Sequence, residues 1–312
     1  MTESQNFSSN MTNNENLAGI LPVNKPQGWT SFDVVAKLRG VLRIKRLGHA
    51  GTLDPMATGV LPVFVGKATK ACDILPDTKK AYTAGFKLGV TTDTLDITGE
   101  VLSEKAANVT RAQLESAKAQ FVGEITQLPP MYSAVKVDGK RLYQLAREGK
   151  TVERTPRNCT VHSIEILSFD EKTQQGEMTV SCEKGTYIRT IIDDIGQALG
   201  TGAVMTSLVR TYSGGFDIAE CLTIEQIADR CSQGELAQIV MPTEKAFALY
   251  DDIRLDERTT PLYKNGVKLY DRQVTAADKS AGKTFRVFGA DGAFLGLAAF
   301  ENGQLKSVKN FY

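Results

Sequence analysis

"GHAGTLDPMATGVLPV", residues 48–63, sets one carboxylate in a glycine-rich loop just ahead of an apolar run. Gly48 and Gly51 open backbone shapes that a Cβ forbids. Pro55 restricts Asp54 to an extended conformation. The result is a constrained loop presenting a single acidic side chain. An aspartate beside glycines most often caps its own loop, and on composition alone that plain role is favoured. The Gly-Lys-[Ser/Thr] ending of a P-loop is missing, which speaks against a nucleotide-binding enzyme of that type.

The segments around the loop alternate between strand and helix patterns. Upstream, "GILPVNKPQGWT" reads as a short strand meeting a turn, and "SFDVVAKLRGVLR" as a helix. Val35, Leu38 and Leu42 share a face of that helix, and Ser31 is placed as its cap. Lys37, Arg39, Arg43, Lys45 and Arg46 then lead into the loop with no acid among them. Downstream, "GVLPVFVG" reads as a buried strand. "KKAYTAGFKLG" alternates, so that Tyr82, Ala84, Phe86 and Leu88 share one face. "TRAQLESAKAQFVG" is a helix with Leu114, Ala117 and Phe121 aligned. "CTVHSIEILSF" and "GEMTVSCEKG" are strands, and "TYIRTIIDDIGQALG" is a helix ended by Gly200. "TIEQ" at Thr223–Gln226 has the form of a capping box.

Two regions stand apart from this scheme. "QLPPMYSAVKVDGKRLYQLAREGK" is proline-bounded, basic and aromatic, and reads as a projecting insertion over residues 129–157. From residue 250 to 312 short strands alternate with turn signals near Gly292 and Gly303, which predicts a small β-rich domain. Residues 1–18 are polar and read as a disordered tail without a signal-peptide h-region; Met11 is an alternative start.

The chain has 312 residues and 42% hydrophobic content, enough for a sizeable core and about two domains. Lys+Arg number 37 and Asp+Glu 36, so a globally basic protein is excluded but a basic face is not. The five cysteines lack metal-ligand or redox spacing, which suggests a reducing, cytoplasmic setting. The histidines are His49 and His162; no metal cluster is expected, and His162 is assigned to the sheet without a function. No apolar run is long enough for a membrane span. A monomer is expected.

Several motifs in order now carry a resemblance. The loop at 48–63 closely resembles the catalytic loop of the TruB family, the bacterial tRNA pseudouridine-55 synthases. "VNKPQGWTSFDVV" looks like that family's Lys-Pro motif, and "AYTAGFKLGVTTDTLDITGE" like its tyrosine motif. "PPMYSAVKVDGKRLYQLAREG" resembles its RNA-binding insertion and "CEKGTYIRTIIDDIG" its arginine motif. Together they span about Gly19 to Phe216. The C-terminal segment is loosely similar to the family's PUA-like domain.

The resemblance implies an α+β fold over residues 19–249: the pseudouridine synthase fold, a mixed and largely antiparallel sheet flanked by helices. It implies isomerisation of a uridine in the T-loop of tRNA, flipped out of its stack, with no cofactor and no metal. Asp54 is then the essential carboxylate, acting as a nucleophile or as a base on the ribose. Arg189 is its charge partner, and Tyr82 stacks on the uracil with its hydroxyl near C5. The same resemblance makes His49, Tyr187, Leu208 and Lys25 substrate contacts. Lys136, Lys140, Arg141 and Arg147 grip the T-arm, interleaved with Tyr132 and Tyr143. Read without the family, Arg189 is a surface helix residue, Tyr82 and Leu208 are core, and the basic insertion is a solvated face. An RNA-folding factor with secondary or no catalysis is the alternative function.

Overall fold

A computed structural model describes residues 17–312 except residue 277. The expected tail and the start at Met11 lie almost wholly outside the described residues.

The main sheet explains why the loop at 48–57 is rigid. It is built from β1 (Gly19–Lys25), β2 (Leu47–His49), β3 (Thr58–Val65), β4 (Lys79–Leu88), β7 (Gly123–Gln127), β10 (Arg157–Asp170), β11 (Gln175–Glu183), β12 (Ala203–Ser213) and β13 (Phe216–Asp217). The order across it is β1-β3-β12-β4-β11-β10-β7, with β2 on β3 and β13 on β12. Only the β3–β12 contact is parallel; the other ladders are antiparallel. The sheet is therefore mixed and largely antiparallel, as expected.

Helices cover it in two places. Residues Arg111–Lys118 (α2) and Ile188–Ala198 (α4) pack on β4, β10, β11 and β12 through Leu114, Ala117, Ile191, Ile192 and Ile195. Ser31–Leu42 (α1) and Ile224–Ser232 (α5) pack on β1 and β3 through Val34, Leu38, Leu42 and Ile227. β3 is buried along nearly its whole length because both faces are used. Leu61, Val63 and Val65 meet α1 and α5, while Val60 and Phe64 face the other way. That explains its unbroken apolar reading.

Most local signals hold. Gly200 follows α4 with φ +74°, and Thr223 forms the reciprocal box with Gln226. One cap differs. Thr30, not Ser31, caps α1: its hydroxyl accepts the Asp33 N–H, and the Asp33 carboxylate accepts the Thr30 N–H. Asp33 at the third helical position completes the box with Thr30, which leaves Ser31 inside the first turn, buried and free to bond elsewhere.

A second sheet follows, made of β14 (Asp251–Arg254), β15 (Leu269–Tyr270), β16 (Thr284–Phe288), β17 (Phe294–Glu301) and β18 (Gln304–Asn310). The hairpins fall at the two turn signals; Asn302 and Gly303, with φ +51° and +70°, link β17 to β18. This β-rich part is not separate from the rest. Leu297 and Phe311 share a core with Ile20, Val60, Phe64 and Phe247.

The insertion lies between β7 and β10. It holds a two-residue hairpin, β8 (Lys136–Val137) with β9 (Lys140–Arg141), and the short helix Leu142–Arg147 (α3). Val90–Thr92 (β5) and Val101–Glu104 (β6) form a hairpin after β4.

Candidate active site

The loop between β2 and β3 is pinned from several directions. The Ser31 hydroxyl accepts the Leu53 N–H at 2.9 Å. Gly28 N–H donates to Pro55 O at 2.8 Å, joining the loop to the Lys-Pro turn. Arg210 Nη2 donates to Gly51 O at 2.8 Å. Lys25 Nζ donates to Pro26 O, Trp29 O and Pro55 O at 2.9, 2.6 and 3.2 Å. Gly59 lets β3 approach β12: its φ is +100°, and a Cβ there would stand 2.2 Å from Arg210 O.

On that frame Asp54 faces Arg189. Arg189 Nη2 lies 2.9 Å from Asp54 Oδ2 and Nη1 lies 3.6 Å from Asp96 Oδ2. Nη1 also donates to Thr94 O and Nη2 to Tyr132 O, each at 2.9 Å. The arginine side chain is 5% exposed and that of Asp54 is 38% exposed, so the acid keeps an open side. Burial among protein atoms pushes the Asp54 carboxyl above its usual range; Arg189 opposes that shift and Asp96 adds to it.

Asp96 escaped the sequence reading. It sits in "TTDTLDITGE" as one acid among several. The structure buries it and ties Oδ1 to Thr94 Oγ1 and the Thr98 N–H, both at 3.0 Å. The Asp-x-Thr spacing is an Asx-turn signal. Nothing in it points to a partner at residue 189.

Tyr82 is buried on β4, in the core cluster that also holds Leu53 and Leu208. Burial raises its hydroxyl pKa, and Arg210, its cross-strand neighbour on β12, opposes the rise. Arg210 is fully buried and was likewise not singled out by sequence. His49 ends β2; burial, then Arg210, lowers its pKa, which keeps the ring neutral at neutral pH. Its Nδ1 is buried without a hydrogen-bond partner.

Lys25, expected as a substrate contact, is fully buried, and three carbonyls occupy its ammonium. In this structure it clamps the loop. Burial brings its pKa down to about 8, and Asp54 counters part of that shift. Tyr187 stands at the N-cap position of α4 without a side-chain cap bond, its backbone clamped by Gln127 at 3.0 and 3.2 Å. Lys136, Lys140, Arg141 and Arg147 are all exposed on the insertion; Arg147 stacks over the Tyr143 ring at 5.5 Å. His162 bonds Glu183 across the sheet at 2.9 Å. Among the described residues no histidine, cysteine and carboxylate group gathers in a way that could hold a metal, and no helix is long and apolar enough to cross a membrane.

Comparison with known proteins decides the family. The model for the TruB family pseudouridylate synthase N-terminal domain matches residues 39–188, and that for the tRNA pseudouridylate synthase B C-terminal domain matches 189–248. tRNA pseudouridine synthase B of Clostridium perfringens strain 13 is 43% identical over 292 residues, covering 93% of this chain and 98% of the relative.

The chain belongs to the TruB family.

A second relative, tRNA pseudouridine synthase B of Halalkalibacterium halodurans, is 44% identical over 258 residues, 81% of this chain and 85% of its own. Among solved structures, a chain in the crystal structure of a Cbf5-Nop10-Gar1 complex matches with a TM-score of 0.74 and 27% identity, over 94% of this chain and 85% of that one. As a TruB-family tRNA pseudouridine synthase the chain isomerises uridine to pseudouridine in tRNA. The α+β fold with a β-rich C-terminal part agrees with the pseudouridine synthase architecture.

Proposed function

We propose that the uridine isomerised is the one at position 55 in the T-loop, swung out of its stack to meet Asp54. The role of Asp54 is supported by its contact with Arg189 at 2.9 Å on a loop tied at Leu53, Gly51 and Pro55; the choice of position is supported by the resemblance of the loop and the insertion to the TruB family's. The reaction breaks the N1–C1′ bond, turns the uracil and forms C1′–C5, with the C5 proton leaving and N1 taking up a proton, so that no atom is gained or lost. A carboxylate serves this chemistry as a nucleophile toward the sugar or base, or as the base that removes a ribose proton to give a glycal. Either route needs Asp54 ionised, and Arg189 favours that state. Tyr82, on the strand facing the loop, supports a stacked uracil and offers its hydroxyl near C5.

Extrusion of a base costs a few kcal/mol of stacking. A neutral His49 ring at the end of β2 is suited to replace the lost stack. The exposed cations of the insertion, Lys136, Lys140, Arg141 and Arg147, suit the phosphates of a T-arm stem-loop. Residues 250–312, as a PUA-like unit, add a second contact to the tRNA, and one chain suffices for the whole reaction.

Tritium release from tRNA labelled at uracil C5 tests the assignment. Asp54→Asn abolishes release while tRNA still binds. Undiminished release by that variant ends the role given to Asp54. Release that survives replacement of uridine 55 by cytidine ends the choice of position.

A further inference from the structure

One guanidinium joins the Asp54 loop to Tyr82. Arg210 on β12 is fully buried, and Tyr82 on β4 is its register partner. Directly opposed residues of antiparallel strands hold their Cβ atoms roughly 4.5–5.5 Å apart on one face of the sheet. Arg210 Nε donates to Val60 O on β3 and Nη2 to Gly51 O, each at 2.8 Å. Gly51 lies three residues before Asp54 on the same loop. The third nitrogen, Nη1, is buried and short of a full hydrogen bond.

Buried charges are ordinarily paired. Both bonds of Arg210 go to neutral carbonyls, and among the described residues no carboxylate forms a salt bridge with it. Burial works against its charge; Tyr82 leads the groups that favour it, ahead of Cys221 and Asp54. The same pairing shows from the other side. Burial disfavours the Tyr82 phenolate, and Arg210 is first among the groups that favour it. A guanidinium only donates. It therefore holds a hydroxyl by the oxygen, and holds it best as that oxygen gives up its proton.

We propose that Arg210 is a positioning residue for Tyr82: its guanidinium aims the hydroxyl oxygen at C5 of the bound uracil and stabilises the negative charge that gathers there while the C5 proton is removed. The proposal rests on the roles given above to Asp54 and Tyr82. The C5–H bond breaks and its electron pair returns to the ring. Its proton joins the Tyr82 oxygen. The proton that oxygen carried goes to water, and water supplies one to N1. Asp54 with Arg189 and Tyr82 with Arg210 are then two acid–guanidinium pairs for two steps, one for detaching the base and one for C5. The bond from Nη2 to Gly51 O sets the second pair against the loop that carries the first.

The test separates removal of the C5 proton from everything before it. A 5-fluorouridine at the target carries no proton on C5. Its base can be detached and rejoined through C5 without the step given to Tyr82. Full-length chains are mixed in single turnover with T-arm stem-loops holding uridine or 5-fluorouridine, and the rejoined base is measured by chromatography of the digested RNA. Arg210→Met, which fills similar space without a charge, is expected to slow the uridine RNA at least about 100-fold and the fluorinated RNA less than about threefold. Arg210→Lys keeps a cation but not the fork. It is expected to show the same split with a smaller loss, and it serves where the methionine variant does not fold. Tyr82→Phe leaves Arg210 in place and is expected to match the split. Equal slowing of both RNAs by the Arg210 variants would leave the residue only the holding of the loop and overturn the proposal. Unslowed uridine conversion would overturn it too, as would a Tyr82→Phe chain that slows both RNAs alike. Asp54→Asn should stop both RNAs, so a failure of the Asp54 reading shows as a different pattern.

Discussion

Arg189 Nη2 touches Asp54 at 2.9 Å, while the rest of the same guanidinium is held by Asp96, Thr94 O and Tyr132 O. The arginine is thus oriented before any substrate arrives. A lysine carries the charge but not the planar fork that reaches four partners at once. Arg189→Lys is expected to lower single-turnover tritium release at least about 100-fold, with tRNA affinity nearly unchanged. Arg189→Ala leaves Asp96 buried without its cation and is expected to cost about 3 to 5 kcal/mol in urea unfolding. An Arg189→Lys enzyme of normal rate would show that orientation contributes nothing.

Acid should stop the reaction earlier than an ordinary aspartate would. Burial raises the Asp54 carboxyl, and Asp96 raises it further. On the role proposed for Asp54, turnover needs the anion, so the rate is expected to fall as pH drops through a value above about 3.9. Stability runs the other way. A native pKa above the unfolded one means that the folded state binds the proton more tightly, and its stability declines as pH rises through that range. Asp54→Asn removes the decline, so its melting temperature at pH 7 should equal or exceed that of the unaltered chain. A variant that melts lower at pH 7 contradicts the sign.

Ser31 holds the residue before Asp54 by one side-chain bond. Ser31→Ala leaves the buried Leu53 N–H without its acceptor, at a cost of about 1 to 3 kcal/mol. A loosened loop should lower kcat more than it changes KM, because the misplaced group is one that acts on bound substrate. A pure KM effect would point to a contact with RNA instead.

Gly59→Ala should be more damaging than any change on the loop itself. Its Cβ would meet Arg210 O at 2.2 Å, and its φ of +100° disfavours any side chain. The parallel pairing of β3 with β12 then has to open. A loss of at least about 3 kcal/mol is expected in denaturant unfolding. An alanine variant of normal stability would mean that the two strands have slack the structure does not show.

The four exposed cations of the insertion are expected to act through charge alone. Replacing Lys136, Lys140, Arg141 and Arg147 together by alanine should flatten the salt dependence of tRNA binding by about 3 in log K against log salt. Thermal stability should barely change, since none of the four packs into the core. An unaltered slope removes the insertion from the RNA interface.

Much of this was legible in the sequence because it is local. The alternation of Tyr82, Ala84, Phe86 and Leu88, the Gly200 stop and the turns at Gly292 and Gly303 depend on neighbours along the chain. The pairing of Asp54 with Arg189 was reached through resemblance, since no local rule joins residues so far apart. What stayed hidden was long-range partnership of ordinary residue types. Asp96 and Arg210 drew no reading of their own, and Lys25 was expected to touch the substrate. Each owes its role to where distant backbone carbonyls or carboxylates fall. The cap of α1 moved from Ser31 to Thr30 because Asp33 completes a box with Thr30 and the buried Leu53 N–H claims the serine.

The carbonyl of Tyr132 belongs to the root of the insertion, yet it terminates on the guanidinium that faces Asp54. Any swing of the insertion that carries residue 132 must stretch that bond or drag the arginine with it. On the proposed reading, grasping a polynucleotide outside and tuning an acid inside become, through a single main-chain oxygen, one mechanical event. A wrong RNA that fails to seat the arm would leave the acid's counter-ion in its resting posture.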